Sequence, residues 1–322
     1  MVPEPDLVER FRNDLDALIV PDARIGIGVS GGPDSVALLL LAAAARPGQV
    51  EAATVDHRLR RESADEARFV ARLCDRLGVS HSILAASWND KPATAIQERA
   101  RRERYRLLGF WAEERGLDAL ATGHHADDQA ETFLMRLTRG AGVSGLAGMR
   151  ASSQTPGGDM RLLRPLLGWR RAELEHLCRS AAVETVADSS NTDEQYERVR
   201  VRNRLADDPS LDAAAVANSA RHLAEANTAI EWAARHEWKQ AVKERSGIIV
   251  YRRSDAPGEI VRRIVSRAVR NLATEGEIDL RGGELDRLIE TLQEAGTATL
   301  RGVRCEGGHE WRFTIAPARR SA

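Results

Sequence analysis

Residues 24–35 read Arg-Ile-Gly-Ile-Gly-Val-Ser-Gly-Gly-Pro-Asp-Ser, and this stretch decides the fold. Arg24–Val29 alternates apolar residues with glycine, the period of a buried strand, and Asp34–Ala45 reads as a helix. The turn between them is built for an anion. Gly31 and Gly32 let backbone approach closely and take positive φ. Pro33 suits the first turn of a helix, where its missing N–H costs nothing. The helix start offers free N–H groups and the positive dipole end, and Ser30 and Ser35 add hydroxyl donors. Asp34 would repel a bare phosphate, but it suits a phosphate accompanied by Mg²⁺, a cation that prefers carboxylate oxygens. The lysine of the G-x-x-x-x-G-K-S/T loop is absent.

Outward from this turn the alternation repeats. Residues 6–19 carry Leu7, Phe11, Leu15 and Leu18 at helical spacing. Val50–Val55, Ser82–Ala85 and Leu117–Thr122 read as strands. Ser63–Leu77, Thr94–Arg115 and Ala126–Thr138 read as helices, the first two opened by capping boxes (Ser63 with Glu66, Thr94 with Gln97). Strands and helices in alternation with short joints predict an α/β fold, a doubly wound, mainly parallel sheet with helices on both faces. Ligands in such sheets bind beyond the strand carboxyl ends, where strand order reverses. The loops after Val29, Val55 and Thr122 are therefore the candidate site.

Residues 139–164 are glycine-rich and read as a loop and a turn. Leu174–Ala181 reads as a helix and 188–191 as a turn. Asp207-Asp208-Pro209-Ser210 reads as a linker, dividing a catalytic domain, 1–208, from a smaller α+β domain, 209–322. The second domain is expected to hold a long helix over 211–245, a strand over 247–251 and helices near 257–272 and 281–295. A closing hairpin is expected to pair 298–304 with 309–315 around Gly307-Gly308.

The 322 residues are 43% hydrophobic and 30% charged, with net charge −1, which excludes a wholly disordered chain. The longest apolar run, Val36–Ala45, is too short to span a bilayer, so no membrane partner is expected. The N-terminus has neither a basic start nor an apolar stretch. Cys74, Cys178 and Cys305 are sparse and show no C-x-x-C, which argues against a disulfide framework, a zinc ribbon and a dithiol site. These features predict a cytoplasmic protein. Lysine occurs only at 91, 239 and 243, so the positive charge is nearly all arginine. A GC-rich genome is the better account of the composition as a whole, so a phosphate-binding role for arginine is sought in local clusters.

The turn Ser30-Gly31-Gly32-Pro33-Asp34-Ser35 resembles the SGGxDS loop of the PP-loop ATP pyrophosphatases, in which the loop holds pyrophosphate and ATP is cut between its α and β phosphates. A second string follows the fourth strand, His124-His125-Ala126-Asp127-Asp128-Gln129-Ala130-Glu131-Thr132. On a helix Asp128 and Glu131 share a face, although acids in a first turn also simply suit the dipole. Adjacent histidines with no third spaced ligand fit no common zinc site. Together with Arg139-Gly140-Ala141-Gly142, Val55-Asp56-His57-Arg58 and Ala100-Arg101-Arg102-Glu103-Arg104-Tyr105, the string resembles the tRNA(Ile)-lysidine synthetase family over most of residues 24–205. The match also takes in Arg164-Pro165-Leu166-Leu167 and Asp188-Ser189-Ser190-Asn191 with Arg198, Arg200 and Arg202. Ser189 stands where the family usually has Pro, and Val199 where Asn is common. The C-terminal part resembles the short form of the family, with one tRNA-binding domain.

The resemblance implies two steps. The C2 oxygen of the wobble cytidine (position 34) of tRNA(Ile) with a CAU anticodon attacks the α-phosphate of ATP and releases pyrophosphate. The ε-amine of free L-lysine then attacks C2, AMP leaves, and lysidine results. Ser30, Gly31, Gly32, Pro33, Asp34, Ser35, Val55 and His57 are the expected ATP contacts, with Asp34 and Asp128 holding Mg²⁺. Asp128 and Glu131 are expected to recognise lysine and to take its proton, with His124 a further catalytic candidate. Arg58, Arg101, Arg104, Arg198, Arg200 and Arg202 are the expected tRNA or phosphate contacts, through groups that carry no sequence information. A solvated helix face laced with ion pairs is the plainer account of the Arg99–Arg106 run. A homodimer is compatible with the sequence. The competing readings are a thiolating or amide-forming PP-loop enzyme and a non-enzymatic RNA-binding protein.

Overall fold

Glycine alternation in the first strand sets the packing of the whole sheet. In a computed structural model, which describes residues 1–58, 63–88, 96–186, 197–208, 210–273, 280 and 282–317, Ile25, Ile27 and Val29 enter a core built with helices α1 (Pro5–Asp16), α2 (Pro33–Ala45), α3 (Ser63–Leu77) and α7 (Arg171–Ser180). The glycines of strand β1 (Ile25–Gly28) face helix α4 (Ile96–Glu114) instead. There Trp111 and Leu108 fill the space that side chains at 26 and 28 would need. A Cβ on Gly26 would sit 2.6 Å from the Trp111 ring and 2.9 Å from Leu117. Gly26→Ala therefore overpacks this layer, at a cost of about 1–3 kcal/mol. A fall of about 2–4 °C in Tm per kcal/mol is expected in a thermal melt; an unchanged Tm would show that Trp111 has room to move.

The remaining elements follow in order: β2 (Val50–Asp56), β3 (Ser80–Ala85), β4 (Ala119–Ala121), α5 (Ala126–Leu137), α6 (Val143–Leu146), β5 (Ser152–Gln154), β6 (Arg161–Leu163), α8 (Glu197–Asp207), α9 (Ala213–Ala241), β7 (Val242–Arg245), β8 (Ile248–Arg252), α10 (Gly258–Leu272), α11 (Gly282–Gln293), β9 (Thr297–Leu300), β10 (Val303–Glu306) and β11 (Glu310–Ile315). The first sheet has the order β3-β2-β1-β4-β6-β5, parallel except for the edge pair β5–β6. The second is antiparallel, with the order β7-β8-β11-β10-β9. Against it lie the apolar faces of α10 (Val261, Ile264, Val265, Val269) and α11 (Leu285, Leu288, Leu292). The α/β expectation with a smaller α+β region therefore holds. The residues divide into two compact units, 1–140 with 145–221 and 141–144 with 222–322. The division falls inside α9, beyond the linker near 208.

Several local expectations need correction. Residues 139–164 are not simply irregular: they supply β5 and β6. Three-residue strands carry too little alternation to read, and β6 forms because β4 offers it a parallel edge. Helix α8, which the sequence reading did not assign, packs on α5. The helix expected to run to 245 stops at Ala241, and 242–245 pairs with β8. The closing hairpin is two hairpins, because Arg301 (φ 50°) and Gly302 (φ 75°) form a tight turn inside the segment expected to be one strand. Successive positive φ values match the twist of paired strands. The turn at 188–191, the Thr94 cap and Ser189 lie outside the described residues.

Candidate active site at the strand reversal

Strand order reverses at β1, whose neighbours β2 and β4 lead away in opposite directions. The loops after β1 and β4 are thus side by side at the carboxyl edge, the position where open α/β sheets bind ligands. They touch through backbone, since a Cβ on Gly123 would lie 2.7 Å from the Asp34 carbonyl oxygen. Only glycine allows that approach.

The first loop is held from within. Gly31 has φ +90°, a conformation that costs a residue with a side chain dearly. Its carbonyl accepts the Val186 N–H at 2.9 Å. The Ser35 hydroxyl is buried; it donates to Gly32 O at 3.0 Å and accepts the Ser30 N–H at 3.1 Å. It braces the loop, while Ser30 remains exposed. Gly32 caps α2 without a side-chain bond and Pro33 is its first residue, leaving the first-turn N–H groups directed outward. Val55 and His57 lie at the carboxyl end of β2, beside β1, and Arg58 just beyond is exposed with φ 52°.

Opposite this loop is His125, a residue the sequence reading passed over in favour of His124. His125 is 3% exposed. Its Nε2 lies 3.5 Å from Asp34 Oδ2 and 3.6 Å from Asp128 Oδ2, and its Nδ1 is 3.6 Å from Asp127 Oδ2. Burial works to lower its pKa, but hydrogen bonds to Asp127 and Asp34 and the charge of Asp128 outweigh it, and the pKa is pushed up to about 10. The Asp128 N–H donates to His125 Nδ1 at 3.4 Å, which caps α5. The His125 ring sits between the Ser30–Ser35 loop and the acidic helix start. Asp127 faces away from the loop. Burial would raise its pKa, but His125, Arg170 and the Arg171 N–H hold it well below the usual carboxylate range. Its part is to tie α5 to α7.

The expected residues separate into groups. Asp34, His125 and Asp128 come together, and the Asp128 carboxylate accepts the His125 N–H at 3.1 Å. Asp34 Oδ1 is buried with no hydrogen-bond partner. Glu131 is not a free carboxylate: it is 2% exposed and bound by Arg202 Nε at 2.6 Å and Arg198 Nε at 3.0 Å. Two of the expected RNA-facing arginines thus turn inward, and Arg200 is exposed. His124 has arginines, not carboxylates, as its charged neighbours. Its Nδ1 lies 2.8 Å from Thr122 Oγ1. Burial, and then Arg164, Arg101, Arg104 and Arg198, hold its pKa well below the ordinary histidine value. Arg101 and Arg104 lie over the Tyr105 ring, 5.0 and 5.3 Å from its centroid.

A family model for the PP-loop domain matches residues 5–208. A tRNA(Ile)-lysidine synthase of Novosphingobium aromaticivorans is 47% identical over 314 residues, 97% of this chain and 94% of that protein. The chain belongs to the tRNA(Ile)-lysidine synthase family. Its counterpart in Zymomonas mobilis is 42% identical over 93% of this chain and 90% of its own. A U34-tRNA thiolase from Methanococcus maripaludis shares the fold, with a TM-score of 0.57 at 18% identity over 68% of this chain and 79% of that one.

Membership in the lysidine synthase family agrees with the cysteines. Cys74, Cys178 and Cys305 are all buried, and burial first of all pushes each thiol up to about 12. None supplies the thiolate that sulfur transfer needs, so the thiolating alternative is not favoured. Cys178 instead donates to Pro33 O at 3.4 Å, bracing the loop. The family departure at Val199 is a buried apolar contact in α8. No helix among the described residues is long and apolar enough to cross a membrane. No group of three or more His, Cys, Asp or Glu among them could hold a metal ion by itself.

Proposed function

We propose that the chain attaches free L-lysine to C2 of the wobble cytidine of tRNA(Ile) with a CAU anticodon, consuming ATP and releasing AMP and pyrophosphate. The carrying observation is the contact of the two loops, Gly123 against Asp34 and His125 between Asp34 and Asp128. It supports placing the triphosphate and the acidic helix in one site.

The loop from Ser30 to Ser35 holds the outer phosphates through backbone N–H groups and the dipole of α2. Val55 and His57 flank the nucleoside. Asp34 and Asp128 fit Mg²⁺: one buried Asp34 oxygen lacks a partner, and Mg²⁺ in nucleotide sites takes one or two carboxylates with the rest of its shell from phosphate and water. Bound there, the cation would neutralise charge at the α- and β-phosphates. His125 lies between the two carboxylates, 3.5 Å from Asp34 and 3.6 Å from Asp128.

Lysine enters beside Asp128 and Glu131. It carries a carboxylate as well as ammonium groups, so it can complement Arg202 and Glu131 together without stranding either charge. Deprotonating its ε-amine at neutral pH costs about 4 kcal/mol, and a carboxylate that accepts the proton as the C–N bond forms lowers that cost. Asp128 is the better placed, because Glu131 is committed to its arginines. The second unit binds the tRNA body, and the protein works in the cytoplasm, where its buried thiols stay reduced.

Mass spectrometry of nucleosides from the cognate tRNA, after reaction with isotopically labelled lysine, tests this. Labelled lysidine should appear only with ATP present. Equal ATP turnover with a tRNA lacking the wobble cytidine would defeat the reading. Affinity for tRNA should also fall steeply with salt, by about a thousand-fold between 50 and 200 mM if about six phosphates are neutralised. A flat response would remove the arginines from the interface.

A further inference from the structure

We propose that the outward face of α9 around Trp232, with Arg235, His236 and Lys239, is a stacking platform for an unpaired nucleotide of the tRNA. The inference rests on the function proposed above, in which the second unit binds tRNA, and gives that binding a surface and a kind of nucleotide. All four residues belong to the second unit.

Trp232 is 65% exposed, whereas Trp111, Trp169, Trp238 and Trp311 are buried. A single exposed apolar side chain is ordinary, but this one is held in place. His236, one helical turn on, stacks against it with ring centroids 5.6 Å apart and planes 15° from parallel. The His236 ring is held in turn by Gln240, another turn on, whose Nε2 lies 3.0 Å from the imidazole Nε2. One side of the indole thus rests on a fixed histidine, and the exposure of the residue leaves the other side open to solvent. Fixing a ring beforehand lowers the entropy cost of docking a flat partner on it.

Charge is sorted across the same helix. Its acids near the ring are committed to partners within the unit: Glu231 pairs with Arg263, and Glu237 accepts from the Tyr251 hydroxyl at 3.2 Å and the Ser254 hydroxyl at 2.6 Å. Arg235 and Lys239 follow Trp232 by three and seven residues, which puts them on its side of the helix. Both are exposed and make no hydrogen bond or ion pair among the described residues. Glu225 shares the stripe, but it stands seven residues before the ring and is itself engaged. An aromatic face flanked by uncommitted cations is the chemistry that holds single-stranded RNA, because every base has a π-face and carries a phosphate beside it. The bases of a duplex are already stacked on one another and have no face to offer. A second protein surface fits less well, since Arg235, Lys239 and Gln240 border the ring where a protein partner would need a contiguous apolar patch.

Trp232→Ala in the full chain, probed with a short unstructured RNA and with a duplex RNA of equal length, tests the platform. The variant should melt at the wild-type temperature, since the ring is exposed. It should bind the unstructured RNA about tenfold more weakly, the scale of losing one base–aromatic stack, while duplex affinity stays unchanged. Trp232→Phe keeps a ring and should restore most of the lost affinity. Arg235→Ala combined with Lys239→Ala should make the fall of log affinity with log salt shallower by about 1.4, the equivalent of two phosphate contacts on a single strand. Unchanged affinity for the unstructured RNA in Trp232→Ala overturns the platform. Equal weakening on both RNAs also overturns it, by reducing the face to a backbone contact. So does conversion of a wild-type dimer into a monomer, which would give the face to a second copy of the chain. Absence of lysidine from the nucleoside assay, with the Trp232 response intact, would reject the reaction and leave the platform standing. Labelled lysidine with no Trp232 response would reject the platform alone.

Discussion

Asp34→Ala is expected to lower lysidine formation by about a hundred- to a thousand-fold, the scale of losing one group that stabilises developing charge. The fold should survive. The Asp34 side chain is 32% exposed, and its contact with His125 is long, at 3.5 Å. Helix α2 keeps its glycine cap and its proline start. Retention of tRNA on a filter should change little, because Asp34 lies at the loop proposed to grip the nucleotide. Asp34→Asn separates charge from shape: it keeps the side-chain volume and should lose nearly as much activity. Preserved turnover in either variant would remove Asp34 from the centre of the site. Near-normal activity at saturating Mg²⁺ alone would limit its role to cation affinity.

Glu131→Ala carries the largest expected cost in stability. Its carboxylate is 2% exposed and holds Arg202 and Arg198 from another helix. Removing one partner of a buried ion pair costs about 3–5 kcal/mol. Both arginines keep some access to water, so about 3 kcal/mol is the expected loss in chemical denaturation. The variant should also make no lysidine, because α8 would lose its anchor on α5. Glu131→Gln distinguishes the two effects. It preserves the shape and part of the hydrogen bonding, so more of the stability should return while lysidine formation stays low. Wild-type activity in Glu131→Gln would show that the charge serves only the fold. A stability loss below about 1 kcal/mol in Glu131→Ala would show that the pair is a surface contact in energetic terms.

Much of the first unit is legible in the chain itself. The period of β1, the glycine turn, Pro33 at the first position of α2 and the acidic start of α5 are local signals, each acting within a few residues. They are enough to expect a parallel sheet with a phosphate loop at its carboxyl edge. The strands β5 and β6 escape because hydrogen bonding to a neighbour, not sequence period, makes them strands. The importance of His125 escapes for a related reason. Beside His124 it looks interchangeable, and only the fold puts one ring among carboxylates and the other among arginines.

By itself, then, the order of residues determined the strand–turn–helix at Ile25–Ala45 and the family pattern carried by residues 24–205. The tertiary structure alone decided how the charges are shared. Glu131 and Arg202 stand 71 residues apart, and Tyr105 and Arg164 come from different elements. Local preferences cannot pair such groups, because a charge finds its partner only after backbone packing has brought the two together and excluded water between them.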